Sequence, residues 1–256
     1  MLADQRIADL AGVVDPEGIA ERKLWLRWKL TALGAFARQV EEVEADFREL
    51  GSFPRRDPAL DPRQIDLTDH FNVSPYLGQN PKSVSHHLSD LAETFQPLHG
   101  VSFDLRGIIQ LEGGPIPGNN PDKPDKPISE IYGNTFPERV DGIEIGQKAN
   151  KVHFLTSCVF ALAQPGEVVA ELLIHYDDGT SARIELKHGE HVMDWLNHGD
   201  QIDPEKVGWR GRPSRKKHLS EIIWDNPHPE KLISHIDFVS ALTASGPFLV
   251  AITLAD

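Results

Sequence analysis

Apolar and polar residues alternate through much of the second half of this 256-residue chain. In AELLIHYDDGTSARIEL (170–186), Leu172, Ile174 and Tyr176 fall on one side, and Leu173 and His175 on the other. Successive side chains of a strand point to opposite faces, so this spacing predicts a half-buried strand. Asp178-Gly179 then supplies the positive φ of a tight hairpin. On the return, Ala182, Ile184 and Leu186 resume the inward face, while Ser181, Arg183, Glu185 and Lys187 face solvent. SEIIWDNPHPEKLISHIDFVSA (220–241) and PFLVAITLAD (247–256) are further extended runs, as are GIEIGQ and KVHFLTSCVFALA before the hairpin.

Earlier, QIDLTDHFN places Ile65 and Leu67 in alternation and predicts another strand, and SHHLSDLAETF (85–95) suits a helical turn. VSFDLRGIIQLE (101–112) reads as two short strands interrupted at Gly107. GGPIPGNNPDKPDKPISE (113–130) holds five prolines and three glycines, which predicts a long exposed loop. Many short strands with few helices define a mainly β chain, a jelly roll or related β-sandwich over 64–256.

The period changes at the N-terminus. Asp15-Pro16 is a helix start, and Leu26, Leu30, Leu33, Ala37, Val40, Val43 and Phe47 recur at three- and four-residue steps. Residues 1–50 are therefore expected to be helical, and GSFPRRDPALDPR (51–63) to be a linker. An amphipathic helix over 19–50 must bury its stripe against the chain's own β domain, residues 3–12, a second copy or another protein.

Charge narrows the partners. The formal net charge is −13, and residues 1–60, with nine basic and eleven acidic residues, leave −11 of it to the remainder. Such a surface repels phosphate backbones, which excludes nucleic acid as a general partner. The basic group Arg210, Arg212, Arg215, Lys216 and Lys217 is interleaved with Gly and Pro and reads as a solvated loop. Cys158, the single cysteine, precludes an internal disulfide and reads as a small buried hydrophobe. LWLRWKLTALGAFA (24–37) is too short and too charged to span a bilayer. MLADQRIADL lacks the apolar core of a signal peptide, so a complete chain would be cytoplasmic.

The strings FDLRGIIQL, PERVDGIEIGQKANKVHFLTSC, HYDDGTSARIEL, VGWRG and IIWDNPHPEKLISHIDFVSA carry a resemblance. Over residues 64–254 the chain resembles a bacterial β-sandwich module of the galactose-binding-like jelly-roll group. The resemblance implies an accessory domain that binds carbohydrate, and it supplies no catalytic residues.

The candidate chemistry follows two lines. Sugar recognition needs an aromatic platform beside polar groups, and Trp195, Trp209 and Trp224, with Asp225 and Asn226, are the candidates. Imidazoles mixed with carboxylates are transition-metal ligands, and KHGEHVMDWLNHGD contributes His188, Glu190 and His191, with Asp194 and His198 nearby. No cofactor is expected; a structural calcium ion is the one exception the residues allow, and it would draw on Asp66, Asp69, Asn72 and the Asn119–Asp125 loop. Asp104 and Arg106 suit an internal ion pair better than an outward one. With no nucleophile elbow, P-loop or dinucleotide fingerprint, the residues favour a non-catalytic binding or accessory module. The alternatives are an assembly protein using 19–50 and a metal-dependent hydrolase using 188–198.

Overall fold

Each alternating run of the C-terminal half is a strand in the computed structural model, which describes residues 52–76, 78–80, 87–89, 91, 99–118, 124–196, 207–210 and 217–256. The helical segment over 1–50 lies outside these residues, as do His198, Arg212, Arg215, Lys216 and most of the turn expected over 85–95. Among the described residues no helix is long and apolar enough to cross a membrane.

The strands are β1 (Ile109–Gln110), β2 (Arg139–Gln147), β3 (Lys151–Val159), β4 (Val168–Tyr176), β5 (Ser181–Lys187), β6 (Val207–Arg210), β7 (His218–Asp225), β8 (Ile233–Ser240) and β9 (Gly246–Ala255), with a short helix α1 (Ile128–Tyr132). They form two antiparallel sheets, ordered β1-β9-β3-β7-β6 and β2-β8-β4-β5. The chain passes repeatedly from one sheet to the other, so most neighbours within a sheet are distant in sequence.

Alternation puts one face of each sheet into a shared core. Val152, Phe154, Ile222 and Ile252 of the five-stranded sheet meet Ile143, Leu172, Ile174, Ile236 and Phe238 of the four-stranded one. Each such side chain contributes about 1.5–3 kcal/mol when fully buried. In the hairpin, Leu172, Ile174, Tyr176, Ile184 and Leu186 are buried, while Leu173 and His175 are half-buried on the opposite face. Gly179 closes the turn at φ 82°, and Asp178 holds it by accepting from the Thr180 N–H at 2.9 Å and pairing with Lys231 at 2.7 Å.

The five-stranded sheet has a second core on its other face. Leu155, Val159, Leu219, Phe248 and Val250 are covered there by Val73, Leu88, Phe103, Ile116, Ile128, Tyr132, Phe136 and Trp195. These covering residues come from segments with little regular structure. Several expectations change as a result. The segment around Ile65 and Leu67 is not a strand: Gln64 makes a single bridge to Thr253, and Thr68–His70 form one 3₁₀ turn. Of 101–112, only Ile109–Gln110 is a strand, and Gly107 lies so close to the Phe71 ring that a Cβ there would overlap it. The proline-rich loop is pinned at both ends, with Ile116 and Ile128 in the second core. Residues 52–63, expected as a linker, pack on the sandwich. Phe53 contacts Phe71 at 5.3 Å, the Arg106 guanidinium donates to the Pro54 carbonyl, and Leu254 N–H donates to Arg63 O.

Asp104 and Arg106 are an internal pair. Arg106 Nε donates to Asp104 Oδ1 at 2.7 Å, and Arg56 and Asp66 extend the network. Lys217 is not on a solvated loop. It is 2% exposed, donates to His87 O and sits 5.7 Å from the centre of the Trp195 ring.

Candidate metal centre

The four-stranded sheet turns its second face outward, and three potential ligands meet there. His175 of β4 is the register partner of His235 of β8, and Asp237 lies two residues along β8 on the same face. The two imidazoles stack with centroids 4.4 Å apart and planes 10° from parallel. His175 Nε2 lies 3.0 Å from Asp237 Oδ2. One ligand atom from each of the three lies within 4.8 Å of the others. Among the described residues this is the one place where three such atoms converge.

Local backbone structure orients the carboxylate. The edge strand β2 is bulged between Val140 and Ile143, where Gly142 adopts φ 71°. A bulge takes an N–H out of the ladder, and here the Gly142 N–H donates to Asp237 Oδ1 at 2.8 Å. Arg139 approaches Asp237 Oδ2 at 3.5 Å but also pairs with Asp141. On the far ring, His235 Nδ1 is 3.1 Å from Ser234 Oγ, which leaves Nε2 for a ligand. Backbone and hydroxyl partners of this kind fix ring and carboxylate orientation around a metal ion.

Beyond the β2 edge lies a polar cleft of about 610 Å³, lined by residues that include Arg56, Gln64, Asp66, Thr68, Asp69, His70, Gly142 and Glu144. The oxygens expected to hold calcium are largely committed here. Asp66 accepts from Thr68 and Arg106. Burial pushes its carboxyl up, but the Thr68 bonds and then Arg106 outweigh this and hold it below its ordinary value. Both atoms of the Asn72 amide are bonded to the Gln110 main chain. Residues 119–123 lie outside the described residues.

The other candidate residues are dispersed. Trp195 and Trp209 are each 2% exposed and belong to the second core, so neither presents a ring face to a sugar. Trp224 is half-buried against the inter-sheet core, on the opposite face of the same sheet from Trp209. Asp225 is exposed and paired with Lys151 at 3.1 Å. Asn226 is buried: it accepts from Tyr176 Oη at 2.6 Å and donates to Ala149 O at 2.8 Å, closing the end of β7. Around Gly189 (φ 78°), the Glu190, His191 and Val192 N–H groups all turn back to Lys187 O. His188, Glu190 and His191 form no convergent group, and His191 Nδ1 is taken by the Lys187 N–H. Asp194 accepts from the Leu196 and Ala161 N–H groups. Cys158 is fully buried; burial, and then nearby Asp194, raises its thiol well above the usual range.

The signal for the true convergence is present in the sequence as His235-x-Asp237, an i, i+2 pair on one strand face. Its meaning comes from the pairing of β8 with β4, which brings in His175, 60 residues before His235 and 62 before Asp237. No family model, curated protein or solved structure matches the chain.

Proposed function

We propose that this chain is a jelly-roll binding module that holds a divalent transition-metal ion on the open face of its four-stranded sheet. The convergence of His175, His235 and Asp237 carries this reading. Two imidazoles and one carboxylate suit Zn²⁺, Ni²⁺, Co²⁺, Cu²⁺ or Fe²⁺, whereas Mg²⁺ and Ca²⁺ prefer oxygen ligands throughout. The jelly-roll assignment is supported by connectivity. Leaving out β6, the two sheets interleave as the first, eighth, third and sixth strands against the second, seventh, fourth and fifth, in keeping with a double Greek key. Carbohydrate binding is left with one half-buried ring, Trp224, and ranks below the metal.

The chemistry at the site is ligand exchange. With Asp237 ionised, the hydrogen between His175 Nε2 and Asp237 Oδ2 lies on the nitrogen. An ion taken up at Nε2 requires the other tautomer of the neutral ring, with that hydrogen moved to Nδ1, so the ligand set keeps its charge. Titration calorimetry of the tag-free full chain with ZnCl₂ and NiCl₂ tests the proposal. One ion per chain is expected, with affinity at least about 100-fold lower in His175→Ala and an unchanged circular dichroism spectrum. Affinity that is the same in wild type and His175→Ala would overturn it.

A further inference from the structure

We infer that Glu144 is the fourth protein ligand of this ion and that it closes the site. The inference rests on the metal-binding reading above and asks what completes it.

Glu144 is the register partner of His235 across β2 and β8. Their chain neighbours Ile143 and Ile236 also pair and are both buried in the inter-sheet core. Glu144 and His235 therefore share the outward face, and Glu144, His235 and His175 form one row across three adjacent strands. Cβ atoms of directly opposite residues stand about 4.5–5.5 Å apart, so a glutamate side chain reaches its neighbour's imidazole by rotation alone. Among the described residues Glu144 has no hydrogen-bond or ion-pair partner, and its carboxylate is exposed at the lip of the polar cleft. Moving it breaks no contact. The other carboxylates near the row are occupied: Asp141 by Arg139, and Glu171 and Glu185 by Arg183.

Charge favours the same residue. Two neutral imidazoles and one carboxylate leave a divalent ion with one positive charge, which Glu144 cancels. The coordination number has a functional consequence, because four protein ligands are the mark of a structural zinc site and three with an open position that of a catalytic one. Recruitment of Glu144 makes this a closed site and accounts for a metal in a module without catalysis. It also draws the carboxylate out of the cleft, so that metal loading changes the charge of the cleft wall.

The test compares ZnCl₂ affinity in wild type, Glu144→Gln, Glu171→Gln and His175→Ala, all as full chains checked by circular dichroism. Glu171→Gln removes the same charge from the same sheet face away from the ion. Affinity at least about tenfold weaker in Glu144→Gln, with Glu171→Gln equal to wild type, is the result expected. If His175→Ala loses the metal while Glu144→Gln binds as wild type, or if the two glutamine variants weaken equally, Glu144 is not a ligand and the three-residue site stands. If His175→Ala also binds as wild type, the site and this inference fall together.

Discussion

A carboxylate meets two histidines on the second face of each sheet, with His99 supplied by a covering segment on the five-stranded side, and the two groups are built for opposite ends. On the five-stranded sheet, Glu221 bonds His153 Nδ1 through one oxygen and His99 Nδ1 through the other, both at 2.7 Å. Its side chain is 1% exposed beneath the covering segments. On the four-stranded sheet, Asp237 gives one oxygen to a backbone N–H and turns the other to His175 on an uncovered face. The same residue types serve as a fastener where both carboxylate oxygens are spent on imidazoles and the carboxylate is sealed. They serve as a ligand set where a buried carboxylate is oriented by the backbone and the imidazoles beside it are half-buried and reach solvent.

The largest test of this contrast removes each carboxylate. Burial pushes the Glu221 carboxyl up, but the hydrogen bonds from His153 and His99 outweigh it and keep the group below its ordinary value, hence ionised. Breaking a buried ionic hydrogen-bonded group costs about 3–5 kcal/mol. Glu221→Ala should therefore show that loss in urea unfolding and leave zinc affinity unchanged. Asp237→Ala orphans one backbone N–H at a partly solvated position, which costs about 1–2 kcal/mol, and should abolish zinc binding. Similar stability losses in the two variants would remove the distinction between fastener and site.

A second consequence of covering both faces of the five-stranded sheet is acid sensitivity. His218 at the start of β7 is 2% exposed, and among the described residues its Nε2 has no hydrogen-bond partner. Burial, with a smaller contribution from Arg210, lowers its pKa from 6.5 to about 4. The unfolded chain takes up this proton near pH 6.5 and the fold only near 4. Between those values the unfolded state holds more protons, so stability is fully present above pH 6.5 and falls as pH drops toward 4. The loss is up to about 3 kcal/mol. Thermal unfolding with EDTA at pH 7, 5.5 and 4 should show a smaller decline for His218→Leu than for wild type. Parallel curves would mean that other groups set the acid limit.

The fold and the site differ in how far they could be read from the sequence. Strand faces were legible because period-two alternation is local: Leu172, Ile174, Tyr176 and Leu186 are buried as their spacing requires. The second core was not, because it is covered by irregular segments whose apolar residues follow no period. Ile116 and Ile128 sit at the ends of a proline-rich loop that looked wholly exposed. For the same reason Trp195 and Trp209, expected as part of an aromatic platform for a sugar, are core residues. The site was hidden for another reason. Its ligands depend on β8 pairing with both β4 and β2, and long-range pairing leaves no local mark. The dense histidine string at 188–191 is conspicuous in sequence, yet it is spent on a turn around Gly189.

The smallest effect isolates the bulge that aims Asp237. Gly142 and Gly146 lie at the two register shifts of β2, with φ of 71° and 61°, and a Cβ on either meets nothing within 4 Å. Alanine at each position therefore carries only the conformational cost of a left-handed L-residue, about 1–2 kcal/mol. The two glycines differ in one respect that bears on the site: the N–H of Gly142 donates to Asp237 Oδ1. Gly142→Ala and Gly146→Ala should thus lower the unfolding midpoint alike, while zinc affinity weakens about tenfold in Gly142→Ala alone, as when an outer-shell partner is disturbed. Equal affinities would show that Asp237 holds its position without the bulge. The orientation of the site would then come from the β4–β8 register rather than from the edge strand.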